Sequence, residues 1–147
     1  MTDSPRMQGL RHRMVEALRQ KGIYSDAVLD ALEAIPRHLF MPPGLEHLAY
    51  EDQALPITCG QTISRPSTVA LQSHCLNITP GMKVMEIGTG SGYQTAVLCH
   101  LGAKVYTIER QRGLFLRTQR LFAQMNIRPM RAILGDGYKG ATWKDYA

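Results

Sequence analysis

Three glycines on alternate positions, Gly88, Gly90 and Gly92, follow a short β-type run from Lys83 to Ile87 and lead into an amphipathic helix pattern. A strand that passes through a glycine turn into a helix brings its backbone close to a ligand at the helix N-terminus, which is an α/β arrangement. The spacing narrows the choice of ligand. A dinucleotide turn reads G-x-G-x-x-G so that it can cradle a pyrophosphate; here the pattern is G-x-G-x-G, with Glu86 ahead of the first glycine. Such a turn suits a nucleoside that carries no phosphates, and S-adenosylmethionine fits that description. A second apolar strand, Lys104 to Ile108, ends at Glu109, about 20 residues beyond the glycines, where a carboxylate can accept from both ribose hydroxyls. Arg110 beside it raises a 2′-phosphate and NADP, against which the missing third-glycine spacing weighs. The same residues also admit a purely structural strand-to-helix corner with a solvated Glu109.

A chain of 147 residues suits one domain. With 44% hydrophobic and 20% charged residues it has the composition of an ordinary globular protein, and disorder is not expected. No apolar run approaches the roughly 20 residues needed to cross a bilayer, and the stretch from Met1 to Gly22 is polar, so no membrane partner and a cytoplasmic location are expected. Cys59, Cys75 and Cys99 are odd in number and lack C-x-x-C pairing, which suggests reduced, partly buried thiols and neither a disulfide framework nor a metal site. The net charge of +5 raises nucleic acid. Its distribution argues otherwise: Arg6, Arg11, Arg13, Arg19 and Lys21 lie in one helix and Arg110, Arg112, Arg117 and Arg120 near another, without aromatic interleaving, as solvated helix faces do.

Along the chain, Leu10, Met14, Val15 and Leu18 fall at helical spacing between Met7 and Gln20, with Gly22 as a C′ residue. Ser25 can cap a second helix, Asp26 to Ala34, which Pro36 stops. From Pro36 to Pro66 the pattern is irregular, apart from a short helical piece near Leu45 to Leu48, and Pro66 starts a helix to Leu76. After Glu109 come a helix from Gln111 to about Met125 and a third apolar strand, Met130 to Leu134, closed by Gly135-Asp136-Gly137. This β-α-β-α-β half folds, by the right-handed crossover rule, into a parallel sheet of order 3-2-1. Gly88 to Gly92, Glu109 and Asp136 then converge on one edge.

Val84 to Tyr93, taken with Pro36-Arg37, Ala49-Tyr50-Glu51-Asp52, Gly60-Gln61-Thr62-Ile63-Ser64, Ile108-Glu109-Arg110 and Gly135-Asp136-Gly137-Tyr138, closely resembles the protein-L-isoaspartate O-methyltransferase family. The resemblance covers nearly the whole chain. It implies a Rossmann-like class I methyltransferase fold with an N-terminal helical extension: residues 1–65 as a helical and substrate-loop region and residues 66–147 as the cofactor-binding part of one partial domain. It also implies S-adenosyl-L-methionine as cofactor, and methyl transfer to the α-carboxylate of L-isoaspartyl residues in damaged proteins and peptides. By the same resemblance Glu86, Gly88, Thr89, Gly90, Ser91 and Gly92 match the methionine-side motif, Glu109 the ribose carboxylate, and Asp136 with Gly137 the adenine-contacting turn. Thr62 and Ile63 line the substrate cleft. Ser64 is the residue placed nearest the reacting carboxylate, with helix capping as its other reading; Tyr93 is an aromatic wall or simply the first buried residue of its helix.

The chain departs from the family at its end. Members continue with a strand of the type F-D-x-I-x-V-T within a seven-stranded sheet ordered 3-2-1-4-5-7-6, whereas this sequence stops at Trp143-Lys144-Asp145-Tyr146-Ala147. Strands 4 to 7 are therefore expected to be absent, leaving Val84, Met85 and Ile87 on an exposed apolar edge open to self-association. Two functions follow from this: an active repair methyltransferase, or a catalytically incompetent cofactor-binding fragment that acts only as a binding module.

Overall fold

The structure is a computed structural model that describes residues 2–139. Ser4 accepts the Met7 amide at 3.4 Å and Pro5 supplies the preset φ of a first helical residue, so α1 (Pro5–Arg19) starts two residues before the predicted Met7. Its apolar stripe, Met14, Val15 and Leu18, packs on α2 (Asp26–Ala34), which buries Val28, Leu29 and Leu32. Gly22 takes the left-handed turn at φ +68, two residues past the Gln20 cap of α1. Ser25 holds the cap position of α2, but its side chain makes no capping bond; its own amide donates to His74 Nδ1 at 3.2 Å.

The stretch from 36 to 66 is ordered into single 3-10 turns at Arg37–Phe40, Glu46–Leu48 and Thr58–Gly60, and a small antiparallel hairpin. In that hairpin β1 (Leu55–Pro56) pairs with β2 (Thr62–Ile63), Leu55 opposite Ile63. Cys59 (φ +60) and Gly60 (φ +64) reverse the chain between them. Two arginines bind this segment from inside. Arg37 is fully buried, donates from Nε to the Ala49 carbonyl at 2.7 Å and lies 4.9 Å from the Tyr93 ring centroid. Arg11 was expected on a solvated face; it is buried instead, because its guanidinium bridges Asp3 at 2.9 and 3.1 Å and Tyr50 Oη at 3.3 Å. Tyr50 Oη is in turn 2.7 Å from His38 Nδ1, and burial lowers the His38 pKa below its ordinary value.

The sheet follows from three apolar strands joined by two helices. β3 (Lys83–Ile87), α4 (Tyr93–His100), β4 (Lys104–Glu109), α5 (Arg112–Met125) and β5 (Arg131–Leu134) make a parallel sheet ordered β3-β4-β5, with Glu86 opposite Thr107 and Glu109 opposite Leu134. This is the α/β arrangement expected of a class I methyltransferase, preceded by the helices α1, α2 and α3 (Pro66–Leu76). β4, the middle strand, is buried from Val105 to Glu109. Of the residues expected on an open edge of β3, Val84 is instead buried with Leu98 and Val105, since alternate side chains point to opposite faces; Met85 and Ile87 are exposed. The expected approach to a fourth strand at residues 143–147 lies outside the described residues.

Cys59 and Cys75 are exposed and Cys99 is half-buried, which corrects the expectation of partly buried thiols for the first two: Cys59 sits at the tip of the hairpin turn and Cys75 in the last turn of α3. Among the described residues no helix is long and apolar enough to cross a membrane.

Gly92 lies where α4 leaves the glycine turn and α5 crosses over it. A Cβ there would stand 2.6 Å from both Phe122 Cε1 and Thr118 Cγ2, and φ is +86. At Gly88 φ is +89, but an added Cβ would meet nothing within 4 Å beyond its chain neighbours. Gly92→Ala should therefore cost about 3 kcal/mol from strain and overpacking together, and Gly88→Ala about 1 kcal/mol from strain alone. Urea unfolding of the two variants checks this, and equal losses would contradict the packing argument.

Candidate functional site

The ends of β3, β4 and β5 meet at one edge of the sheet, and the glycine turn rises above it. The parallel ladder continues into the turn: Gly88 and Thr89 donate their amides to the Ile108 carbonyl at 2.8 and 3.2 Å. Gly88, Gly90 and Gly92 all have positive φ, at +89, +55 and +86, a conformation that glycine adopts without penalty. The turn can thus bend sharply and leave its backbone open to a ligand.

Glu109 secures that shape. The residue is 5% exposed; Oε2 accepts the Gly90 amide and Oε1 the Gln111 amide, each at 2.8 Å. It is therefore not a solvated strand terminus. Each oxygen keeps a second lone pair, so hydroxyls of a ligand can still be accepted from the open side.

Glu86 lies below the turn against Thr95 and Thr107, two threonines outside the motif. Thr95 Oγ1 donates to Glu86 Oε2 in a short hydrogen bond, and Thr107 Oγ1 donates to the same oxygen at 2.7 Å. Because the Thr107 proton is engaged there, the 2.6 Å contact between Thr89 and Thr107 has Thr89 as donor. Burial pushes the Glu86 carboxyl up to about 7; the two hydroxyls pull it down and the nearby Glu109 charge pushes it further up. A carboxylate in the middle of an apolar strand must find donors, and that requirement is the signal by which the threonines could have been found.

Two concavities flank the turn and share Thr62, Gly88 and Gly90 in their walls. The larger, about 310 Å³, is lined further by Glu109, Arg110, Asp136, Gly137, Tyr138 and Ile87. The smaller, about 60 Å³, is lined by Ile63, Ser64, Glu86, Thr89, Ser91 and Tyr93, among others. Every residue named from the sequence except Gly92 lines one or both; Gly92 serves the contact between α4 and α5 instead. Tyr93 answers to both of its readings, since it is fully buried at the first position of α4, edge-on to Phe40 at 5.4 Å, and also walls the smaller cavity.

Ser64 does not cap α3. The cap position is Arg65, and the Ser67 amide is taken by Asp52 Oδ1 at 2.9 Å from the preceding loop. Ser64 lines the smaller cavity instead. Among the described residues no group of three or more His, Cys, Asp or Glu side chains could hold a metal ion.

Residues 9–147 match the family described as protein-L-isoaspartate(D-aspartate) O-methyltransferase. The protein-L-isoaspartate O-methyltransferase of Flavobacterium johnsoniae is 58% identical over 140 residues, which are 95% of this chain and 66% of that protein. The corresponding protein of Gloeobacter violaceus is 50% identical over 132 residues, 90% of this chain and 63% of the relative. The chain thus spans about two thirds of the length of these relatives. A solved protein-L-isoaspartate O-methyltransferase superposes with a TM-score of 0.78 at 30% identity, covering 89% of this chain and 44% of that one. A Plasmodium falciparum structure of the same description, in complex with S-adenosyl-L-homocysteine, has a TM-score of 0.72 over 92% of this chain and 66% of its own; at 21% identity it speaks for the fold alone.

The raised Glu86 pKa has a consequence for stability. The carboxyl titrates near 4.5 when unperturbed and near 7 when folded, so the fold prefers its neutral form. The stability it contributes is complete below about pH 4.5 and is lost as pH rises through 7. Between pH 5 and pH 8 the wild-type chain should lose about 2 kcal/mol more stability than Glu86→Gln, read from urea unfolding at both values. Parallel pH profiles for the two proteins would contradict it.

Proposed function

The chain belongs to the protein-L-isoaspartate(D-aspartate) O-methyltransferase family, and we propose that it transfers the methyl group of S-adenosyl-L-methionine to the α-carboxylate of L-isoaspartyl residues in proteins and peptides. One observation carries the reading: the two cavities share the glycine turn as a wall, with Glu109 lining one and Ser64 the other. A ligand with a nucleoside at one end and an amino acid at the other matches that division. The fit is supported by the open turn backbone, by the free lone pairs of Glu109, and by a G-x-G-x-G spacing that departs from the G-x-G-x-x-G of a pyrophosphate turn.

When bound, S-adenosyl-L-methionine supplies an electrophilic sulfonium methyl. The chain's own residues have to orient the groups that meet it. Glu109, which keeps the Gly90 and Gln111 amides in place, would also hold the ribose hydroxyls. Asp136 and Gly137 would border the nucleobase, and the amides of the turn with the Glu86 pocket would border the methionine end. Ser64 donates its hydroxyl to the isoaspartyl carboxylate and aims one oxygen along the line of transfer, with Thr62 and Ile63 closing the cleft. A carboxylate is already ionised at pH 7, so no residue has to remove a proton before it attacks. The rate gain then rests on alignment and on exclusion of water.

Transfer of labelled methyl to an isoaspartyl peptide and to its normal aspartyl twin tests this. Base-labile label on the isoaspartyl peptide alone is expected, and Ser64→Ala should lower kcat about ten-fold or more while S-adenosyl-L-homocysteine affinity stays within about two-fold. Label on both peptides would overturn the substrate assignment. Binding of S-adenosyl-L-homocysteine with no transfer to either would leave the chain as a binding module.

A further inference from the structure

A hollow of about 350 Å³ between α1 and the segment from His47 to Asp52 has no part in the mechanism above. Leu10, Met14 and Leu18 line it from α1, and Pro66 lines it from the start of α3. Charged side chains edge it, Arg13 and Lys21 on the α1 side and Glu51 and Asp52 opposite. We propose that this hollow is an exosite for the substrate polypeptide: one flank of the isoaspartyl residue leaves the cleft past Pro66, lays apolar side chains along α1 and sets an acidic residue against Arg13. The proposal rests on the substrate reading above and deepens it.

Position is the first ground. Ser64 lines the smaller cavity and Pro66, two residues later, lines the hollow, so their Cα atoms are at most about 7 Å apart. Asp52 ties the two places together: Oδ1 accepts the Ser67 amide at 2.9 Å and Oδ2 lies 3.7 Å from Lys21 Nζ. The Lys21 end of the hollow is therefore the end beside the cleft. From Leu18 back to Leu10 the helix rises about 12 Å, which matches about four residues of extended chain. A polypeptide held at Ser64 by its isoaspartyl carboxylate continues on both sides of that residue, and the hollow begins within about two residues of it.

Charge is the second. Two of the four charged residues that edge the hollow are already engaged with the loop or with each other's side. Glu51 Oε2 accepts from Gln53 Nε2 at 2.7 Å, and Asp52 is taken by Ser67 and Lys21. Arg13 is exposed and makes no hydrogen bond or ion pair among the described residues. The unanswered charge of the hollow is thus positive and lies away from the cleft, where an acidic side chain about five residues from the isoaspartate would reach it. Between these ends the α1 wall is apolar, and an extended chain can turn alternate side chains onto it while its polar groups stay in water.

The test is fluorescence anisotropy of labelled isoaspartyl peptides on the 147-residue chain with S-adenosyl-L-homocysteine present, which needs no turnover. A long peptide carries apolar residues and an acidic one within about six positions on either side of the isoaspartate, and a short one keeps only the nearest neighbours. Ala17 is exposed and lines the hollow, so Ala17→Tyr fills it without touching the buried stripe of α1; Arg13→Glu reverses the exposed charge, and circular dichroism confirms that both variants are folded. The wild-type chain should bind the long peptide about ten-fold more tightly than the short one. Ala17→Tyr should remove that advantage, Arg13→Glu should reduce it about three-fold at low salt, and neither should change binding of the short peptide. Equal wild-type affinity for the two peptides would overturn the proposal with the substrate reading intact, and so would an advantage that survives in Ala17→Tyr. A wild-type dimer in sedimentation that Ala17→Tyr dissociates would also overturn it, by giving the hollow to a second copy of the chain. No preference for the isoaspartyl peptides over their aspartyl twins would overturn the substrate reading, and this proposal with it.

Discussion

The two oxygens of one buried carboxylate hold the functional edge of this molecule together. Glu109 ends the central strand β4, and from there it takes the Gly90 amide with one oxygen and the Gln111 amide with the other. A hydrogen bond from a neutral amide to a charged acceptor is among the stronger ones available to a backbone. Here two of them tie the glycine turn on one side and the start of α5 on the other to the same residue. Three glycines at positive φ have no preference of their own for this bend; the carboxylate supplies it. An acidic residue at this point is therefore structural before any ligand arrives, and what faces a ligand is its remaining lone-pair capacity.

The rest of the site is built outward from that anchor. Thr118 of α5 donates to the Gly90 carbonyl at 2.9 Å, so the same glycine is gripped at both its amide and its carbonyl. Beneath it, Thr89, Thr107 and Thr95 form a chain of hydroxyls that ends on Glu86. Between β3 and α4 this network replaces what would otherwise be apolar packing, and its hydroxyls offset part of the burial that raises the Glu86 carboxyl to about 7. On the far side of the cleft, the loop that carries Asp52 caps α3 through Ser67 and leaves the Ser64 hydroxyl free. Arg37 stabilises that loop from within by holding the Ala49 carbonyl.

The sheet edge was legible because its signals are local. Apolar runs of strand length, a glycine turn and helical periodicity sit next to one another in sequence, and the crossover rule converts them into a topology. The stretch from 36 to 66 was not legible, since its order comes from distant partners. Arg37 reaches Ala49, Asp52 reaches Ser67, and Arg11 reaches Tyr50, across separations that no periodicity encodes. For the same reason Arg11 read as a solvated charge. Its burial becomes favourable only once Asp3 and Tyr50 are folded against it, and both lie outside α1. The alternative reading of Ser64 as the cap of α3 fails for a related reason: it is the capping type of residue in the right neighbourhood, but a carboxylate from another segment takes the Ser67 amide.

The claim that Glu109 shapes the turn can be measured without any assay of activity. Amide hydrogen exchange of Gly90 and Gln111 should be slow in the wild-type chain and approach the rate of an open loop in Glu109→Ala, with the exchange of β4 residues Val105 to Thr107 unchanged and S-adenosyl-L-homocysteine affinity reduced together with the protection. Protected Gly90 and Gln111 amides in Glu109→Ala, with wild-type affinity, would show that the turn holds its form without the carboxylate and would contradict the account.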